Sequence, residues 1–284
     1  MGLLSPSDFS AKWIAGNYTV DASKRYPVDC FLRRFSAENI VRARLYSTAC
    51  GIYEVKLNGQ KAGSFCLAPG HTDYKKRIQY QTADVTALLN NGENILTCEL
   101  ADGWYRGSCG AMGLLNEYGI ETKLFVQLEL FDRNGKVTTI VSDGSWAWSN
   151  DGPIRFADNK DGEIYDARKT PSYSGKAKVT SCPVIPTASD NVLLEEHERL
   201  KAVQVITTPS GKKVLDFGQN IAGYIEFRLN AKAGQKLKLR FGEMFDEEGE
   251  FTQKNFQCVK KERKTPLQQI EYTCREGVNE YKTR

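Results

Sequence analysis

Polar and apolar residues alternate along this chain with a period of two, a rhythm that suits strands and defeats a helical stripe. In Tyr53-Glu54-Val55-Lys56-Leu57 apolar and charged side chains take turns, and Asn58-Gly59 follows at once. That dipeptide tolerates the positive φ of a tight hairpin turn, so the chain is expected to reverse there. A second hairpin is written in the 123–131 run, the turn residues Asp132-Arg133-Asn134-Gly135-Lys136, and Val137-Thr138-Thr139-Ile140-Val141. One short helix is expected, with Asp84 capping Val85-Thr86-Ala87-Leu88-Leu89 and Asn90-Asn91-Gly92 ending it. Residues 170–190, with Pro171, Pro183 and Pro186, break the strand rhythm and read as a boundary. Beyond it lie Val203-Gln204-Val205-Ile206, Val214-Leu215-Asp216-Phe217, the 224–229 run and the 236–241 run, short strands spaced as in a sandwich. The expected fold class is all-β, with two antiparallel β-sandwich modules. Residues 1–180 are expected to form the first module and residues 181–284 the second.

A chain of 284 residues can fill two such cores without staples. The eight cysteines form no CxxC pair and several sit in strand-like runs such as Ile95-Leu96-Thr97-Cys98, so they read as reduced packing residues. No stretch approaches the ~20 apolar residues that span a bilayer, and the start has no basic cluster ahead of an apolar run. The expectation is a cytoplasmic protein without a membrane partner. A net charge of +4 is small for this length. The one dense basic run, Lys260-Lys261-Glu262-Arg263-Lys264, lacks aromatic partners, which argues against nucleic acid.

Catalytic patterns are sparse. His71 and His197 are the two histidines, too few for a histidine-rich metal site, and His197 lies in the charged run Glu195-Glu196-His197-Glu198-Arg199. The glycines of residues 107–113 do not have dinucleotide-binding spacing. The acids of residues 243–250 read as a solvated hairpin tip at Asp246 to Gly249. The segment Ala101-Asp102-Gly103-Trp104-Tyr105-Arg106-Gly107 carries more information. Flat rings suit sugar C–H faces, while an acid and a guanidinium suit hydroxyls. The same residues also suit a structural role, with Trp104 plugging the end of the sandwich and Arg106 paired with a carboxylate inside. Carbohydrate-binding candidates are therefore His71, Asp73, Tyr74, Asp102, Trp104, Tyr105 and Arg106. Asp73, Asp158, Asp161 and Glu163 offer oxygens to a hard cation such as calcium. No other cofactor is expected.

Taken in order, the 53–59 run, Ala68-Pro69-Gly70-His71-Thr72-Asp73-Tyr74, Gly103-Trp104-Tyr105-Arg106-Gly107 and Asp161-Gly162-Glu163-Ile164-Tyr165-Asp166-Ala167-Arg168 resemble the N-terminal module of bacterial α-L-rhamnosidases. Leu215-Asp216-Phe217-Gly218-Gln219-Asn220-Ile221-Ala222-Gly223-Tyr224 and Leu239-Arg240-Phe241-Gly242-Glu243 resemble the β-domain that follows in that family. The resemblance implies a jelly-roll or galactose-binding-like first module and a second sandwich, truncated at its C-terminal end, preceding a helical (α/α)-barrel that carries an inverting pair of glutamates. No residue of this sequence takes the acid or base role. Some relatives of the first module bind L-rhamnose through calcium, although here Tyr74 follows Asp73 where an oxygen donor would better serve a cation. Three readings follow: a non-catalytic N-terminal portion of an α-L-rhamnosidase that supports its own C-terminal helical domain; an autonomous module for an L-rhamnose-containing glycan; or an interaction domain that self-associates through an exposed sheet edge.

Overall fold

The computed structural model describes residues 4–110, 113–190, 192, 194–260 and 263–283. Lys261 and Glu262 of the basic run, Ala111 and Met112 of the glycine-rich stretch, and Arg284 lie outside the described residues. The chain is all-β. No helix among the described residues is long and apolar enough to cross a membrane.

Two sheets face each other in the first half. One contains strands Ile14–Ala15, Ile40–Cys50, Gln79–Asp84, Lys123–Asp132, Val137–Val141, Lys178–Val179 and Thr187–Ala188. The other contains Asp29–Ala37, Ile52–Leu57, Gln60–Lys61, Gly92–Ala101, Ala147–Ser149 and Gly175–Lys176. Alternation along each strand sends one row inward, so that Leu45, Leu124, Leu128 and Ile14 from the first sheet meet Phe31, Leu57, Leu96 and Leu100 from the second, all buried. Trp146 is fully buried and satisfies its indole by donating Nε1 to the Val141 carbonyl at 2.7 Å.

The expected turns form. Asn58 has φ 52° between the paired residues Leu57 and Gln60. Asp132 Oδ1 accepts the amides of Asn134 and Lys136 at 2.8 and 2.9 Å, closing the second hairpin. The acidic run also forms a hairpin tip, with Glu250 N donating to Asp246 Oδ1 at 2.8 Å. The helix expected over 85–89 is shorter, a 3-10 turn at Thr86–Leu88 held by Asp84 Oδ1, which accepts from Thr86 N and Oγ1 at 3.0 and 2.6 Å. A second turn cannot follow because Asn94 captures Asn90 N and O and Gly92 O with its amide, bending the chain directly into strand Gly92–Ala101.

In the second half, Ile154–Asp158, Gly162–Asp166, Gln269–Thr273 and Lys236–Arg240 form one sheet. It packs on the ribbon Glu226–Ala231/Gly277–Lys282 around Ala231, Ile270, Tyr272, Cys274 and Tyr281. Tyr165 stacks flat on Tyr272 at 5.3 Å and Tyr281 meets both edge-on. Pairing is not wholly antiparallel, in contrast to the expectation. Gly162–Asp166 runs parallel to Gln269–Thr273, and Thr187–Ala188 runs parallel to Gln79–Asp84. Parallel pairs need long connections, which local alternation cannot reveal. Gly162 makes the first of these possible, because a Cβ there would stand 1.9 Å from the Gln269 carbonyl oxygen. The hairpin 154–166 thus shares a sheet with residues 236–273, while strands Lys178–Val179 and Thr187–Ala188 pair back onto Ile14–Ala15 and Gln79–Asp84.

Candidate functional site

The segment 101–107, read from sequence as a loop, contains one helical turn, Gly103–Arg106, with Asp102 already in the helical region. In such a turn residues i and i+4 share a face and residue i+2 points away. Asp102 and Arg106 accordingly turn inward, both nearly inaccessible, while Trp104 turns outward and is half-buried. Gly107 lets this turn dock tightly, since a Cβ there would stand 2.3 Å from the Gly103 carbonyl and 2.5 Å from Asp158 Oδ2.

The inward face is a charge cluster. Arg106 Nε donates to Asp102 Oδ1 at 2.7 Å and Arg106 Nη1 donates to the Tyr18 hydroxyl at 2.9 Å. Arg25 bridges three carboxylates, at 3.1 Å from Asp102 Oδ2, 3.1 Å from Asp158 Oδ2 and 3.4 Å from Asp161 Oδ2. Ser108 N donates to Asp158 Oδ2 at 2.6 Å, Ser108 Oγ to Asp161 Oδ2 at 3.1 Å, and Leu267 N to Asp161 Oδ1 at 3.3 Å. One network therefore ties the 102–108 turn of the first half to the 158–162 loop and to residue 267 of the second half. Burial pushes the Asp102 carboxyl up against the pull of Arg106. Asp29, close behind, is pushed up to about 6 by burial despite accepting from Trp148 Nε1 at 2.9 Å and Thr122 Oγ1 at 3.2 Å.

The outward face is aromatic. The 71–77 turn is built by Tyr74, whose hydroxyl donates to the Gly70 carbonyl at 2.6 Å, and by Asp73, whose carbonyl accepts Lys76 N and Arg77 N at 2.8 Å. It presents the exposed His71 parallel to Trp104, with ring centroids 5.4 Å apart and planes 16° from parallel. Tyr118 meets His71 edge-on at 6.2 Å, its hydroxyl 3.5 Å from Nε2. Lys75 lies over the Tyr118 ring at 5.6 Å and pairs with Glu117 at 3.2 Å. Tyr74 and Tyr105 are buried beneath, edge to face at 5.5 Å.

The seven expected sugar-facing residues are thus divided. His71, Asp73 and Trp104 reach solvent, Tyr74 and Tyr105 form the floor, and Asp102 and Arg106 belong to the internal cluster. Tyr118 joins the face without having been expected. The signals available for it were a lone ring before Gly119 and the positive φ of Asn116 that turns the chain there, and only the second emerges from coordinates.

The oxygens expected for calcium do not converge. Asp158 and Asp161 are turned to Arg25, Ser108 and backbone amides, whereas Glu163 faces the opposite core, where the Tyr281 hydroxyl donates to it. Asp73 accepts Lys75 N at 3.1 Å and pairs with Lys76. Among the described residues no three acid, histidine or cysteine side chains gather as a metal site. A guanidinium supplies the positive charge where a cation was expected, and this donor set does not fit calcium.

Comparison with known proteins extends the geometry. Residues 38–205 match the alpha-L-rhamnosidase N-terminal domain, and residues 206–283 match the bacterial alpha-L-rhamnosidase concanavalin-like domain. An alpha-L-rhamnosidase of Streptomyces avermitilis is 36% identical over 228 residues, 76% of this chain and 22% of the relative. One from Formosa agariphila is 33% identical over 283 residues, 91% of this chain and 30% of the relative. The native α-L-rhamnosidase structure from Aspergillus terreus superposes with a TM-score of 0.89 at 30% identity, over 99% of this chain and 33% of that one. The Streptomyces avermitilis enzyme complexed with L-rhamnose gives 0.83 at 33% identity, over 92% and 26%. The chain spans no more than about a third of the length of these relatives.

Proposed function

The chain belongs to the α-L-rhamnosidase family, and from that premise we propose that it forms the non-catalytic N-terminal portion of such an enzyme, supporting a C-terminal helical domain and helping to position the glycan. The observation that carries this reading is the tiling of residues 38–283 by the two domain models in order, while the relatives extend far beyond. In the intact enzyme a glutamic acid outside this chain protonates the glycosidic oxygen, and a second carboxylate activates water on the opposite face of the sugar. The acids clustered around residue 102 fit no such role, being held by guanidinium and amide donors.

The glycan contact in this proposal is the solvent-facing pair His71 and Trp104, flanked by Tyr118 and Asp73. Parallel rings offer an apolar platform to a sugar face, and the imidazole and carboxylate offer hydrogen bonds to hydroxyls. The relative solved with L-rhamnose supports the ligand class. The first test is turnover of an aryl α-L-rhamnoside by this polypeptide: none is expected, and a measurable kcat would overturn the non-catalytic assignment. The second is calorimetry with L-rhamnose, first with calcium and then with chelator. Heat in both conditions is expected, since the residues do not fit calcium, and silence at millimolar sugar in both removes the binding role.

A further inference from the structure

Beneath the aromatic face lie two thiols that the proposed function does not use. Cys50 ends strand Ile40–Cys50 and is fully buried, and Cys182 is half-buried in the segment that crosses from strand Lys178–Val179 to strand Thr187–Ala188. Their Sγ atoms stand 4.0 Å apart across 132 residues of sequence. The backbones that carry them are independently fixed. Lys123, the register partner of Cys50, donates Nζ to the Ser181 carbonyl at 2.6 Å, and Thr180 N donates to the Trp13 carbonyl at 2.9 Å. At the far end Thr187 N donates to the Ile78 carbonyl at 2.9 Å.

We propose that Cys50 and Cys182 form a reversible dithiol–disulfide pair that staples the 180–187 crossing to the end of strand Ile40–Cys50, under the His71/Trp104 face. From 4.0 Å the S–S bond needs a further approach of about 2 Å between the two sulfurs. The two thiols differ as an attacking and a resolving pair should. The hydrogen bond from Cys50 pulls the Cys182 thiol down, aided by the Val184 amide and the Lys123 charge against the effect of burial, while Cys50 is pushed up. With a small-molecule disulfide as oxidant, the Cys182 thiolate attacks one of its sulfurs and releases one thiol. Cys50 then loses its proton and attacks Cys182 Sγ, expelling the second thiol. The reagent disulfide is reduced to two thiols as the protein dithiol becomes one disulfide. Cys50 shares its cluster with Tyr74, Tyr105 and Phe125, against which Trp104 and Tyr118 pack, so the staple stiffens the floor of the aromatic face.

The test equilibrates the full chain with oxidised and reduced glutathione at graded ratios, quenches with acid, alkylates after unfolding and maps peptides. Expected are a linked peptide containing Cys50 and Cys182, joint loss of both thiols, their return with dithiothreitol, and a higher melting temperature for the oxidised chain. In Cys50→Ser the link disappears and Cys182 is recovered as a glutathione mixed disulfide. In Cys182→Ser, which changes a half-buried position, Cys50 stays reduced. Alkylation of Cys182 in the folded chain levels off at a lower pH than that of an ordinary thiol of pKa about 8.5. A wild-type chain that holds Cys182 as a mixed disulfide with Cys50 still free, or that keeps both thiols at the most oxidising ratio while remaining folded, would overturn the proposal.

Discussion

Asp102 and Arg106 sit two residues either side of Trp104, yet the outer pair faces a sealed charge network and the middle residue faces solvent. Both sides carry the same chemistry on paper, rings with charges, and differ in what surrounds them. Inside, Asp102, Asp158 and Asp161 each have a guanidinium within 3.4 Å and are themselves almost wholly buried. Outside, the rings of His71, Trp104 and Tyr118 rest against one another at the surface, with the Tyr118 hydroxyl 3.5 Å from His71 Nε2. The lesson is that a sugar-like composition becomes a sugar-like surface only where the local backbone period sends it outward.

The difference can be broken most forcefully from inside. Replacing Arg106 with Met leaves Asp102 buried with Arg25 as its one remaining cationic partner among the described residues, and should cost about 3–5 kcal/mol in urea unfolding. A loss below about 1 kcal/mol would mean that the network is solvated. Glu163 sharpens the contrast, because it is buried like Asp102 but has a tyrosine hydroxyl in place of a guanidinium, and burial pushes it up to about 7 from 4.5. Its protonated form is the one the fold prefers. That contribution is therefore complete below pH 4.5 and is lost as pH rises to 7, by about 3 kcal/mol. Wild type should lose stability relative to Glu163→Gln across that window, and parallel pH curves for the two would refute it.

On the outer face Trp104→Ala should weaken L-rhamnose binding by about 1–2 kcal/mol and cost less stability than the Arg106 change, because Trp104 is only half-buried against its cluster. A fold that collapses with it would return Trp104 to a plugging role. The smallest stability effect is expected at Val205 and Leu215, a cross-strand pair left 60% and 47% exposed on the ribbon Gln204–Thr207/Lys213–Asp216. Wild type is expected to associate with rising concentration in light scattering, and replacing both with Lys should suppress this while shifting stability by no more than about 0.5 kcal/mol; a strictly monomeric wild type would contradict it. Association unchanged by the pair would direct attention to the strand edges of Glu226–Ala231 and Gly277–Lys282, which pair with each other alone among the described residues.

How far the sequence could be read follows the range of each interaction. Alternation and the Asn58-Gly59 turn are local, and strand Ile52–Leu57 with its hairpin formed as expected. The helix after Asp84 was cut short by Asn94, a side chain acting four residues back that no propensity exposes. Arg25 is the extreme case, 77 residues from Asp102 and 133 from Asp158. Its sequence surroundings, Ser23-Lys24-Arg25-Tyr26, look like any solvated turn, so its role as the hub of the buried cluster was invisible. The placement of Asp158 and Asp161 was hidden for the same reason, since the acids were legible and the distant guanidinium that pairs with them was not.

Two double-mutant cycles run side by side test the inside–outside division most directly, one on Asp102 and Arg106, the other on His71 and Trp104. The account gives a coupling of about 2 kcal/mol or more in unfolding free energy for the first pair and below about 1 kcal/mol for the second. Equal couplings, or the larger one at the surface, would contradict it.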